Sequence, residues 1–333
     1  MLAERSFEVF STCPHSAGVA QNLYADRVAE VARWSEEAGC TGMLVYSDNS
    51  SLDPWLLSNI IIQRTKTLCP LVAIQPVYMH PYWVAKQITS IASLYGRRLY
   101  LNMVAGGFKN DLEALNDTTP HDQRYARLIE YTTIIMCLLR SHMPVTYEGE
   151  FHRVTKLRLM PTLPEALVPG VFVSGSSEAG MAAAKTLGAT AIKYPKPAGE
   201  EVPPEDLLHL GIRVGIIARE DAGEAWDIAH ERFPEDRKGQ ITRQLAEKVS
   251  DSVWHKQLSD LEGTPEKSPY WLVPFQNYKT MCPYLVGNYD QVAEELGRYF
   301  NAGYRTIILD VPPSAQELQH TFTAFDAAMQ GVR

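Results

Sequence analysis

The sequence predicts an α/β protein folded as one closed (β/α)8 TIM barrel with insertions, a single domain over residues 1–333. Three observations carry this. Eight short apolar or β-branched runs alternate with helical patterns along nearly the whole chain. Several of the runs are apolar on both faces, as in LVAIQ and TIILDV, which suits parallel strands with helices outside and a packed interior. A length of 333 residues is enough for such a barrel as one core. An open doubly wound sheet is the competing architecture, weakened because no GxGxxG follows the first run.

In chain order, the first runs are 7–12, 41–46, 69–75 and 98–105, with an amphipathic stretch at 26–39 between the first two. A second such stretch follows at 121–141. Its Tyr125, Leu128, Ile129, Ile135, Met136 and Leu139 share one helical face behind Thr118, Thr119 and Pro120, which suit a helix start. Residues 148–169 read as a hairpin-like excursion. The runs 168–173, 190–194 and 212–218 then continue the alternation. Before the last run, at 306–311, residues 224–288 form a long insertion with two helical stretches and a loop rich in proline and aromatics. Long insertions of this kind are usually functional or disordered. In the loop 263–286, Tyr270, Trp271, Phe275, Tyr278 and Tyr284 favour an active-site lid over a floppy linker.

Composition narrows the function classes. With 45% hydrophobic and 21% charged residues and no low-complexity tract, the chain is an ordinary folded protein. A net charge of −8 with dispersed Lys and Arg argues against nucleic acid. The first twenty residues do not read as a secretion signal, and no run reaches the roughly 18 apolar residues of a membrane span. Cys13, Cys40, Cys69, Cys137 and Cys282 include no CxxC pair, so a reducing cytoplasm is expected. The histidines show no HExxH or other metal spacing, so no metal is expected.

A barrel's active site lies where its strands end, so the residues after each run are the candidates. Ser174-Gly175-Ser176-Ser177-Glu178 follows the fifth run and opens a helix. Its free amides and hydroxyls suit a phosphate, and Ser176 merely capping the helix is the equal alternative. Asn102 to Gly107 places a polar residue and two glycines where a flat ligand could approach, and an ordinary turn explains it nearly as well. His121-Asp122-Gln123-Arg124-Tyr125 clusters donors at a helix start, as an exposed helix end also would. Arg213, inside an apolar strand, needs either an anionic ligand or an ion pair with a barrel carboxylate such as Asp48 or Asp310. Cys13 and His15 lack an orienting third group, which disfavours nucleophilic catalysis.

Taken together, six blocks resemble the bacterial luciferase-like flavin monooxygenases, with the alkanesulfonate monooxygenase branch the most similar. They are TGMLVYSDNSSLDPW (41–55), GRRLYLNMVAGG (96–107), HDQRYARLIEY (121–131), YEGEFHRV (147–154), VSGSSEAGMAAAKTLGA (173–189) and GIRVGIIAREDAGEAW (211–226). They occur in the family's order, and the similarity runs to about residue 330. The resemblance implies a TIM barrel with a long insertion before its last strand. It implies reduced FMN, supplied by a separate NAD(P)H:flavin reductase, with O2 as cosubstrate and a peroxyflavin as oxidant. Carried over residue by residue, Asn102, Ala105, His121, Tyr125, Ser176 and Ser177 would bind the cofactor, the two serines at its phosphate. A dimer or tetramer is the default assembly.

At the substrate end this sequence departs from the sulfonate branch. Ser51 stands where that branch has a cysteine, Gly215 where it has a histidine two residues after Arg213, Tyr194 where it has an indole, and Pro312 where it has a tyrosine. Lys279 is the nearest candidate for the basic residue of its mobile loop. Arg213, Tyr194 and Ser51 are the expected catalytic positions. Conserved cofactor blocks with altered substrate residues imply the same chemistry on another small organic molecule, such as a secondary-metabolite intermediate. The alternatives are sulfite release from alkanesulfonates, hydride transfer to a deazaflavin, and a non-catalytic relative.

Overall fold

The computed structural model describes residues 6–17, 19–106, 108–203, 209–249, 258 and 268–331. Simple alternation opens the chain. Strand β1 (Glu8–Thr12) leads to helix α1 (Gln21–Ala38), β2 (Gly42–Val45) to α2 (Pro54–Arg64), and β3 (Cys69–Ile74) to α3 (Pro81–Tyr95). Proline opens both α2 and α3, where its missing N–H is no loss, and Asp53 caps α2 by accepting from the Trp55 and Leu56 amides. Left-handed Gly39 and Gly96 stop α1 and α3.

After β4 (Tyr100–Met103) come short α4 (Lys109–Ala114), long α5 (His121–Arg140), and an antiparallel hairpin of β5 (Val145–Glu148) and β6 (Arg153–Leu157). Glu130 of α5 fixes the hairpin turn, its carboxylate accepting from the amides of Glu150, Phe151 and His152. Strand β7 (Gly170–Ser174), helix α6 (Glu178–Leu187) and β8 (Thr190–Lys193) resume the barrel. Among the described residues no helix follows β8. Pro195, Pro197 and Pro203 interrupt that connection, so the β-then-α repeat expected from the sequence skips this unit.

Strand β9 (Leu210–Arg219) precedes α7 (Ala222–Arg232) and α8 (Arg237–Val249). Where a loop is expected from the sequence, β10 (Tyr270–Trp271) pairs antiparallel with β11 (Tyr284–Asn288), and one helical turn, Val273–Gln276, lies between them. Asn288 and Gln291 form a capping box that starts α9 (Tyr289–Asn301), which leads into β12 (Tyr304–Leu309) and α10 (Ala315–Gly331). Strand β9 is buried along all ten residues because it pairs with three strands, β8 on one edge and β12 then β11 along its length. Residues 210–214 pair with β12, and residues 215–219 pair with β11.

The closed barrel runs β1-β2-β3-β4-β7-β8-β9-β12, with β12 returning to β1. Phe10, Leu44, Leu71, Tyr100, Phe172, Ile192 and Ile308 interlock inside it. The opposite faces of the strands pack against the helices. In the proposed lid, 263–267 lie outside the described residues. Of the rest, Tyr270, Trp271, Phe275 and Tyr284 are buried. The Tyr270 hydroxyl donates to the Pro195 carbonyl at 2.8 Å, and Trp271 meets Trp226 edge-on at 5.6 Å. Both flanks of 277–283 are therefore anchored.

Candidate active site

The two-residue period that fills the barrel interior also builds the site above it. Leu44, Ile192 and Ile308 line the base of a cavity, and two positions beyond Leu44, Ile192, Phe172 and Tyr100 come Tyr46, Tyr194, Ser174 and Asn102. Gln75 and Arg213 join them from β3 and β9. The cavity holds about 1080 Å³ of space continuous with solvent, at the C-terminal ends of the strands. Ala105, His121, Tyr125, Ser176, Ser177 and Met281 complete the part that matters here. All six residues expected to bind cofactor, and two of the three expected catalytic ones, thus line one cavity.

At the start of α6 the two serines divide the work. Ser177 is the N-cap, its Oγ accepting from the Gly180 amide at 3.1 Å. Capping uses a lone pair and leaves the Ser177 hydroxyl proton free to donate. Ser176 Oγ is buried and has no hydrogen-bond partner among the described residues. The cap expected at Ser176 is Ser177 instead, one residue nearer the helix, and capping leaves Ser176 unexplained. Such an orphaned donor beside the positive end of a helix is what an oxyanion requires. The Tyr125 hydroxyl lies so close to Gly175 that a Cβ there would sit 2.3 Å from it, so only glycine admits this approach.

Asn102 is 5% exposed and accepts at Oδ1 from the Ser174 hydroxyl at 2.7 Å, which orients its amide. His121 contacts Asp122 through Nδ1 at 2.7 Å and meets the Tyr125 ring edge-on at 5.3 Å. Arg213 is 5% exposed; its guanidinium contacts the Tyr46 hydroxyl and lies 5.0 Å from that ring. Its Nε is buried with no hydrogen-bond partner among the described residues. Neither Asp48 nor Asp310 forms the ion pair considered for it. Asp310 Oδ2 accepts from the Tyr284 hydroxyl at 2.7 Å, and Asp48 is bound by the turn that follows it. Burial holds the Tyr194 hydroxyl well above its ordinary pKa, so Tyr194 stays a neutral donor.

Ser51 stands apart from the cavity wall. Its amide donates to Asp48 Oδ1 at 2.7 Å and its hydroxyl lies 3.4 Å from His15 Nε2. The wall residue there is Asp48. Burial would raise the Asp48 carboxyl, yet the nearby His15 imidazole and the donors of Ser50 and Ser51 hold it below the usual carboxylate range. Cys13 is fully enclosed, and burial pushes its thiol up to about 12, which removes it as a nucleophile at neutral pH. Tyr46, Gln75 and Met281 are not singled out by the sequence, and Asp48 only as an ion-pair partner for Arg213. A polar residue one step beyond the last inward apolar residue of a strand is the signal that marks Tyr46. No group of three potential metal ligands occurs among the described residues, and none of their helices is long and apolar enough to cross a membrane.

Comparison with known proteins gives the family. The family model described as luciferase-like monooxygenase matches residues 6–306. A curated relative, the 4-(gamma-L-glutamylamino)butanoyl-[BtrI acyl-carrier protein] monooxygenase BtrO of Niallia circulans, is 34% identical over 307 residues, 89% of each chain. EDTA monooxygenase from Chelativorans sp. BNC1 superposes with a TM-score of 0.74 at 18% identity, over 98% of this chain and 95% of its own. The oxygenating component of 3,6-diketocamphane monooxygenase from Pseudomonas putida, solved with FMN, gives 0.67 at 16% identity over 98% of both chains. With a family match across nine-tenths of its length, on a closed eight-stranded barrel, this chain belongs to the luciferase-like monooxygenase family of oxidoreductases.

Proposed function

We propose that the protein is a reduced-FMN-dependent monooxygenase that takes its flavin from a separate NAD(P)H:flavin reductase and uses O2 to oxygenate a small organic substrate. The observation that carries this is the Ser176 hydroxyl, buried without a partner at the start of α6 in the same cavity as Asn102 and Tyr125. The donor set fits the cofactor. Ser176, Ser177 and the free amides of the α6 start would hold the phosphate, while Asn102, Ala105, His121 and Tyr125 would hold the rest. Reduced flavin bound there supplies the activation of O2.

The chain's own residues do the remaining work. Arg213, with Nε unsatisfied, receives negative charge on the reacting molecule. Tyr194, kept protonated by burial, donates a hydrogen bond from the end of the neighbouring strand β8. Ser51 acts through Asp48, which its amide helps to hold. Closure against solvent falls to the segment 263–286, with Met281 facing the cavity.

The substrate is an intermediate of a biosynthetic sequence, a reading supported by the relative named for an acyl group on a carrier protein. The test is anaerobic titration with reduced FMN followed by O2. Saturable binding and oxygen uptake are expected. Hydride transfer with a deazaflavin but no response to reduced FMN, or sulfite release from simple alkanesulfonates alone, would replace this reading.

A further inference from the structure

Two opposite charges line the cavity without pairing. The polar contact of Arg213 is the neutral hydroxyl of Tyr46, and its Nε has no partner among the described residues. On Asp48, Oδ1 is saturated: it accepts from the Ser50 amide at 2.8 Å, the Ser50 hydroxyl at 2.8 Å and the Ser51 amide at 2.7 Å. Among the described residues Oδ2 meets His15 Nε2 at 3.9 Å, beyond hydrogen-bond reach. The His15 side chain is 42% exposed, so water competes for it.

Arg213 Nε, buried without a partner among the described residues, is costly in a cavity whose base is aliphatic unless a ligand completes it, and the part-exposed Asp48 carboxylate offers a charged acceptor in the same cavity. We propose that the substrate is a zwitterion of amino-acid type, its ammonium group received by Asp48 Oδ2 and its anionic oxygen by Arg213. This deepens the monooxygenase reading of the same cavity and rests on it. Asp48 is then the specificity-determining residue that separates free amines from their acylated or deaminated analogues, because a charged acceptor left without its donor rejects the analogue.

The probes are 4-aminobutanoate, 6-aminohexanoate and γ-L-glutamyl-4-aminobutanoate, each titrated calorimetrically beside its N-acetyl derivative. At least one free amine should bind about tenfold or more tightly than its acetylated partner. Asp48→Asn retains an oxygen for the Ser50 and Ser51 amides but removes the charge; it should bring that ratio close to one, while Arg213→Gln should weaken both members of the pair. Equal binding of every pair, binding of none, or a preference that survives Asp48→Asn overturns the proposal. Reduced FMN is titrated in parallel: its failure to bind the unaltered protein counts against the monooxygenase reading, whereas normal flavin binding without amine preference counts against the zwitterion alone.

Discussion

The ring of Tyr284 occupies the space that a side chain on Gly215 would need: a Cβ built there would lie 2.3 Å from the ring. The ring is fixed on three sides. It is 4% exposed, it meets Phe233 edge-on at 4.9 Å, and its hydroxyl donates to Asp310 at 2.7 Å. Gly215→Ala is therefore expected to destabilise the fold by about 1–3 kcal/mol through overpacking. Chemical denaturation measures this, and an unchanged midpoint would mean that the ring moves aside freely. Gly215→His alone should fail to rebuild the sulfonate-type Arg-x-His pair, since Tyr284 already fills that volume.

The serine pair at α6 should separate into one structural and one ligand-binding residue. Ser177→Ala removes the cap of the Gly180 amide and is expected to cost about 1 kcal/mol of stability. Ser176→Ala removes a hydroxyl with no internal partner, so stability should hold while affinity for reduced FMN falls about tenfold. Paired thermal melts and anaerobic titrations decide this; equal flavin affinity in Ser176→Ala and the unaltered protein would move the phosphate elsewhere.

These two cases show what was legible in the sequence. Each of the eight barrel strands lies within or beside an expected apolar run, because both faces of a barrel strand are buried and composition records that directly. Strands β10 and β11 were hidden in a stretch whose prolines and aromatics read as loop, since their pairing depends on β9 from far along the chain. The glycine at 215 looked like a lost catalytic side chain; its reason, the Tyr284 ring, is 69 residues away in sequence and visible only in three dimensions. Likewise Asp48, rather than Ser51, reaches the cavity, because a turn held by the carboxylate itself sets which way the loop faces.

The His15–Asp48 pair should give stability a pH dependence. The Asp48 carboxylate beside it holds the His15 imidazolium above its ordinary pKa of about 6.5, against an opposing effect of burial. A group whose folded pKa is raised contributes stability that is complete below its unfolded value and lost as pH rises through the folded value. The unaltered protein should thus exceed His15→Gln in thermal midpoint near about pH 6 and lose that advantage by about pH 8.5. A constant difference across that window would show that the pair does not form in solution.

Thiol chemistry should bypass the barrel. With Cys13 enclosed and its thiol raised to about 12, iodoacetamide near neutral pH should label exposed Cys137 and spare Cys13. Cys13→Ala should keep its flavin-dependent oxygen uptake. Peptide mapping of the alkylated protein checks the first expectation, and modification of Cys13 at the rate of Cys137 would mean that the barrel mouth opens far more widely than its packing implies.

Met281 is the point at which the proposed closing segment meets the cavity, between a helical turn and β11 that are both fixed. If its side chain keeps water from the site, shortening it should leave flavin affinity nearly unchanged and alter how the electrons are used. In Met281→Ala a larger share of the flavin oxidised should appear as hydrogen peroxide and a smaller share as oxygenated product. Replacing Leu56, an exposed side chain on α2, by Ala supplies the control, because it is 68% exposed and does not line the cavity. A peroxide yield in Met281→Ala equal to that control would assign solvent exclusion to another wall, and a loss of flavin affinity instead would make Met281 part of the cofactor's seat.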